Sequence, residues 1–475
     1  MEETKPIADQ TKIPLNRIIG LTTAILLVAG NIIGTGVFKK IVPMAQTGLN
    51  EKYILGAWIV AGIITLFGAF TIAGLSKLTT ASGGSYEYMR LCFGNFLAFL
   101  SGWSGYVIVC SGSLAAVGFI FAQSVNSIIA LPNPMFGLKD VSIGNYIFPF
   151  ADSGIKILAI ATIILLTWLN YRGIKNGTVL NNIVTGAKIL GILILIISGL
   201  FLTSRHIDYM PVDKMVTKSA GTVSLFFAAM LSAFWAYDGF TNVAFVAGEI
   251  KNPKRNVAIA VISGVGLVMI LYLLINYTYI KTLGLQQLAG LGNNKIAATS
   301  MAASIMGPTG SLMISILIML SSFGTLNVLV ILYARLYFRM AQENFFFKSA
   351  AKVHPVYRTP YIALIYSMGW SVILVFSGTF DRLTDMSIFS AFLFYSLLAA
   401  GLIKMKKKGI IKEKVPFYPW APVIFILVTA GLLASTFINQ PKLSLIGLIL
   451  MLTGVPVYFL FKKRYGYKST SQANE

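Results

Sequence analysis

The sequence predicts an all-α integral membrane protein of twelve spanning helices. Three observations carry this. Of 475 residues, 56% are hydrophobic and only 11% are charged, and the mean hydropathy is +0.77. A water-soluble domain carries roughly 25% charged residues, so this chain has too few to solvate its surface. Disorder is excluded by the same numbers, since it needs high charge and low hydrophobicity. The apolar residues fall in segments long enough to cross ~30 Å of hydrocarbon, about 20 residues each as helix.

In order, the apolar segments run at about 17–40, 53–76, 90–125, 155–172, 178–203, 220–248, 256–281, 309–340, 359–378, 384–403, 418–438 and 442–462. The fourth is near the minimum length. Residues 1–16 and 463–475 are polar tails. The first apolar run is long and lacks a clear cleavage site, so it reads as a retained helix rather than a signal peptide.

Charge sets the expected topology. With the N-terminus inside, the inner connections carry about twice as many Lys and Arg as the outer ones, which places both termini in the cytoplasm. That bias accounts for the formal charge of +22 without a nucleic-acid partner. The surroundings implied are membrane lipid, at the plasma membrane. Cys92 and Cys110 lie about 27 Å apart along one helix, too far to bridge. His206 and His354 are the only histidines and fall in polar segments. No metal or cofactor signature is present, and an enzyme would lack its acid/base or nucleophilic group. A channel is the other rival outside carriers.

Two segments are poor material for unbroken helix. The first contains Gly30-Asn31-Ile32-Ile33-Gly34-Thr35-Gly36, and the sixth contains Trp235-Ala236-Tyr237-Asp238-Gly239-Phe240. Interruptions in matched positions of two halves point to an inverted-repeat transporter. The expected organisation is a first five-helix repeat over 17–203, an inverted second over 220–403, and two extra helices in 404–475. Unwound backbone at membrane depth must line a cavity or be buried in protein. Freed N–H groups suit a carboxylate and freed carbonyls an ammonium. The substrate-contact candidates are Ile32, Gly34, Thr35, Gly36, Trp235, Ala236, Asp238 and Gly239, and a methyl at Gly36 is expected to obstruct the substrate. The plainer reading of Gly30 and Gly34 is a small-residue packing face.

Lys188 falls near the middle of the fifth segment, where a lone Lys costs about 2.5–3.5 kcal/mol on insertion scales. The carbonyl end of the first helix's inner half is a suitable partner. A fixed ammonium there would take the place of a coupling sodium ion. Asp238 reads as a cap on freed N–H groups or as a contact for a cation or proton. Trp235 is a candidate gate over the site, or ordinary packing. Glu249, beside Lys251-Asn252-Pro253-Lys254-Arg255, is a second gate candidate or an interfacial ion pair. Ser322, Thr325 and Asn327, with Ser321, form a polar stripe that lines the cavity or bonds between helices.

Gly30 to Phe38 resembles the first-helix signature of the amino acid–polyamine–organocation superfamily. Ser82 to Tyr88 resembles the stretch before its third helix. Phe234 to Phe240 and Gly248 to Pro253 resemble the sixth helix of its L-type amino acid transporter branch. Phe323 to Asn327, His354 to Pro360 and Phe417 to Trp420 continue the likeness over roughly residues 15–465. The resemblance implies two inverted five-helix repeats plus two helices, and exchange of amino acids by alternating access. The leading reading is sodium-independent exchange of neutral L-amino acids, and Trp235, which shrinks the side-chain pocket, makes small ones the expected substrates. It places the substrate carboxylate at the Thr35 and Gly36 N–H groups, and the amino group at the carbonyls of Ile32, Trp235 and Asp238. Lys188 matches the lysine that replaces sodium. Asn31 departs from the family's usual Thr, Phe240 from its Trp, and Lys39-Lys40 from its single Lys. No cysteine stands where a glycoprotein heavy chain would be bridged, so none is expected. A proton-coupled symporter or a carrier of cationic amino acids on the same fold is the alternative.

Overall fold

The computed structural model describes residues 19–79, 84–144, 147–173, 177–202, 221–292 and 295–465. The N-terminal tail, Ser82-Gly83, His206 and the end of the C-terminal tail lie outside them. The regular structure of the described residues is helical apart from two isolated bridges. The elements are α1 (Leu21–Ile32), α2 (Gly36–Lys39), α3 (Ile41–Ala45), α4 (Glu51–Leu75), α5 (Gly84–Phe93), α6 (Asn95–Ser104), α7 (Cys110–Asn126), α8 (Ser153–Tyr171), α9 (Gly177–Phe201), α10 (Thr222–Tyr237), α11 (Pro253–Ala289), α12 (Ala297–Gln342), α13 (Tyr361–Ser377), α14 (Phe380–Lys407), α15 (Trp420–Asn439), α16 (Pro441–Leu452) and α17 (Gly454–Tyr465).

Ten helical stretches among the described residues are long and apolar enough to cross a membrane. Two of the predicted segments are shorter as helix. The first stops at Ile32, and the ninth is α13, of 17 residues. Others begin earlier than hydropathy indicates. The Asn50 side chain accepts the Tyr53 N–H at 3.1 Å and starts α4, as capping residues do. The eighth segment belongs to a longer helix, α12, which turns at Gly307 (φ 66°) just before Pro308. Proline cannot continue a helix without losing a backbone bond, so the straight part starts where the apolar run does. Residues 463–465, with the basic Lys463 and Arg464, extend α17 rather than belonging to a tail.

Between α6 and α7 the helix widens into one π-turn, Gly105–Val109. The Trp370 indole N–H donates to the Val107 carbonyl at 2.9 Å, and the Ser111 hydroxyl to the Tyr106 carbonyl at 2.7 Å. The misaligned carbonyls are thereby satisfied. α1 packs on α9 and α11, α4 on α10, α11 and α15, and α7 on α8, α12, α13 and α14. The two interrupted segments thus sit inside the bundle.

Candidate functional site

At the first interruption the Ile33 N–H donates to the Ala29 carbonyl and the Gly34 N–H to the Ile32 carbonyl, both at 2.7 Å. Helical bonding resumes with the Phe38 N–H to Thr35 (3.3 Å) and the Lys40 N–H to Gly36 (2.8 Å). The Thr35 and Gly36 amides fall in the gap, as the first amides of any helix do. At the second interruption α10 ends at Tyr237. Asp238 is extended (ψ 158°), and Gly239 takes φ 106° before a 3₁₀ stretch, Phe240–Glu249.

The two breaks touch backbone to backbone. A Cβ on Gly239 would lie 2.8 Å from the Asn31 carbonyl oxygen, and one on Gly36 would lie 2.5 Å from Cα of Ala236. The first obstacle to a methyl at Gly36 is therefore Ala236, not a substrate. Gly30 is equally a packing residue, since its Cβ would collide with the Thr185 side chain. Gly34 has only its own chain nearby and faces open space. Gly36→Ala is expected to lower the melting temperature in detergent by several degrees, read by thermal shift. Unchanged stability would contradict the close approach.

Lys188 on α9 is buried. Its Nζ donates to the Gly30 carbonyl at 3.1 Å and to Oγ1 of Thr325 at 2.6 Å. Thr325 in turn donates to the Ser321 carbonyl at 3.0 Å. One ammonium therefore ties the end of α1 to α12. The Tyr272 hydroxyl on α11 lies 2.9 Å from the Ile32 carbonyl and 3.1 Å from that of Ala236, reaching both breaks at once. Sequence reasoning missed Tyr272, because a tyrosine in a long apolar helix carries no local signal.

A small cavity occupies the space between the breaks. Ile32, Gly34, Thr35, Gly36, Trp235, Asp238 and Gly239 line it, as does Thr325. α7 adds Ser113 and Val117, and α12 adds Leu329 and Tyr333. Of the other candidates, Ala236 turns its carbonyl to Tyr272 instead. The Ser322 hydroxyl donates to the Ile318 carbonyl at 2.7 Å, and Asn327 accepts from Asn170 of α8 at 2.7 Å. Those two bond along or between helices and lie outside the cavity lining. Oδ1 of Asp238 accepts the Tyr395 hydroxyl of α14 at 2.9 Å.

A second cavity shares Asp238, Asn242 and Tyr333 with the first and runs past the π-turn to Tyr86. On the opposite side the first cavity is shut. The Trp235 ring meets Phe380 edge to face at 6.2 Å, a preferred aromatic geometry. Beyond it, fully buried Lys40 holds Asp381 at 3.0 Å and Asp385 at 3.1 Å, both on α14. Lys39 donates to Gln123 at 2.9 Å. On the Tyr86 side, Glu249 pairs with Arg335 at 3.0 Å, with Arg335 45% exposed. An exposed pair of this kind holds weakly. Beside it, the Ile19 N–H donates to the Glu249 carbonyl and the Lys251 N–H to that of Ile19. Among the described residues, no three His, Cys, Asp or Glu side chains converge as metal ligands would.

A cavity between two interrupted helices, deep in an apolar bundle, is the arrangement of a membrane carrier. The profile of the amino acid permease family matches residues 19–461, and the chain belongs to that family. It is 31% identical over 459 residues to the serine/threonine exchanger SteT of Bacillus subtilis (strain 168), covering 95% of this chain and 98% of that protein. It is 29% identical to the large neutral amino acids transporter small subunit 2 of Homo sapiens, over 94% of this chain and 81% of that one. Identity to the b(0,+)-type amino acid transporter 1 of Mus musculus is 28%, over 94% and 88%. The protein is a multi-pass membrane protein of amino acid transport.

Proposed function

We propose that the chain exchanges neutral, small L-amino acids across the plasma membrane without sodium, by alternating access. The observation that carries this is Lys188, whose ammonium occupies the carbonyl end of α1 where a coupling cation would otherwise be needed. The names of the Bacillus and mammalian relatives support an amino acid as cargo. In this reading the carboxylate binds the amides of Thr35 and Gly36, and the ammonium binds carbonyls of Ile32, Trp235 and Asp238. Trp235 gates the site from the Phe380 side and limits substrate size. Glu249 latches the other face.

The organisation proposed is twelve spans: an inverted pair of five-helix repeats, 17–203 and 220–403, followed by two helices in 404–475. The N- and C-termini are cytoplasmic in this reading, which makes the Tyr86 face the inner one. No heavy chain is required.

Labelled serine uptake in sodium-free medium tests the reading. Neutral small amino acids should compete, and arginine and lysine should not. Competition by the cationic pair would turn Asp238 into a substrate contact. The proton-coupled alternative is separated by Asp238→Asn. Exchange in the parent protein is expected to be independent of pH between 5.5 and 7.5, within about twofold, and to stay so in the variant. A steep pH dependence that the variant abolishes would replace exchange by symport.

A further inference from the structure

Most polar side chains around the central cavity already have partners. The Ser113 hydroxyl donates to the Val109 carbonyl at 2.6 Å, Thr325 donates to Ser321, and Asp238 accepts from Tyr395. Two buried atoms in the lining have none: Nδ2 of Asn31 and Oγ1 of Thr35. Buried donors without acceptors are rare in folded proteins and costly, so these two are poised for a ligand.

Their positions separate their roles. Thr35 stands in the gap between α1 and α2, beside the two amides assigned to the substrate carboxylate. Its hydroxyl belongs with the carboxylate. Asn31 lies in the last turn of α1, among carbonyls. An anion is disfavoured there, and an ammonium has no lone pair to offer Nδ2. What remains on a neutral amino acid is an uncharged oxygen on its side chain.

We propose that Asn31 is a specificity-determining residue. Its carboxamide N–H donates to the side-chain oxygen of the substrate, and selects small amino acids bearing a hydroxyl or carboxamide over aliphatic ones of the same size. This rests on the amino acid reading of the site. A site built to bond a polar group rejects the analogue lacking it, because its own donor is left unpaired.

The test uses the shape-matched pairs serine/alanine and threonine/valine, as competitors of exchange and as ligands in thermal-shift titrations. The parent protein should prefer the hydroxylated member on the order of 10-fold. In Asn31→Ala the preference should fall to about one, with alanine held as tightly as before or more tightly. Equal affinity within the pairs in the parent protein overturns the proposal. So does an unchanged preference in the variant, or a parallel loss for all four ligands, which would put Asn31 on the α-groups. Should Asn31→Ala fail to fold, Asn31→Thr, which keeps a hydroxyl donor, must retain part of the preference. The titration needs no transport. Selective binding without exchange would therefore sink the exchange reading and leave this one standing.

Discussion

Lys188→Met is expected to cut exchange roughly 100-fold or more while the protein still folds. Nζ donates to the Gly30 carbonyl and to Thr325, and hydrogen bonds from a charged donor are worth about 1.5–3 kcal/mol each. Losing both frees the end of α1 from α12 and alters the carbonyls assigned to the substrate ammonium. Membrane insertion should not suffer, because a mid-span lysine is itself a cost of about 2.5–3.5 kcal/mol. Expression, thermal shift and vesicle flux on the same preparation separate the two effects. A Met variant exchanging at the parent rate would remove Lys188 from the mechanism. Recovery of flux in the variant on adding sodium would support the idea that the amine stands in for a cation.

Lys40→Met should produce the largest loss of stability. Lys40 is fully buried and bridges two carboxylates one turn apart on α14. Removing one member of a buried ion pair costs about 3–5 kcal/mol, because the remaining charge is left uncompensated. Here two carboxylates are stranded together, which adds their mutual repulsion. The triple variant Lys40→Met, Asp381→Asn, Asp385→Asn should regain much of the loss, since replacing a whole buried pair by neutral groups is often tolerated. Thermal unfolding of the single and triple variants in detergent measures this. Equal melting temperatures for parent and Lys40→Met would mean that the cluster contributes nothing. The same cluster joins the start of α3 to α14 on the closed side of the cavity. The single variant should therefore also leak more readily to that side, seen as faster labelling of a cysteine placed at Trp235.

How much of this was legible in the sequence differs from residue to residue. The two interruptions stood out because glycines and an Asp-Gly pair are costly inside apolar helix, and the structure breaks both helices there. Lys188 stood out because a single charge in an apolar run has to be answered by something. Its neighbour Gly30 could be named as a class of partner, but Thr325 could not be told from Ser322 or Asn327. A serine bonding its own i−4 carbonyl and a threonine facing a cavity look the same in one dimension. Lys39 and Lys40 close the first apolar segment and stood out only as a departure from the family's single Lys. Only the tertiary fold brings Asp381 and Asp385, some 340 residues on, to Lys40. Tyr272 was silent for a related reason: what marks it is a partner across space. Asn31 stood out as a departure from the family's Thr, but the lack of a partner for its amide shows only in the fold.

The central claim is obligatory exchange without sodium. Its most direct test is counterflow into purified proteoliposomes, with no sodium and no pH gradient, each batch loaded with one unlabelled amino acid. Labelled serine should enter vesicles holding a neutral small amino acid, overshoot, and stay near background in empty ones. Entry into empty vesicles, driven by an imposed proton or sodium gradient, would contradict the account.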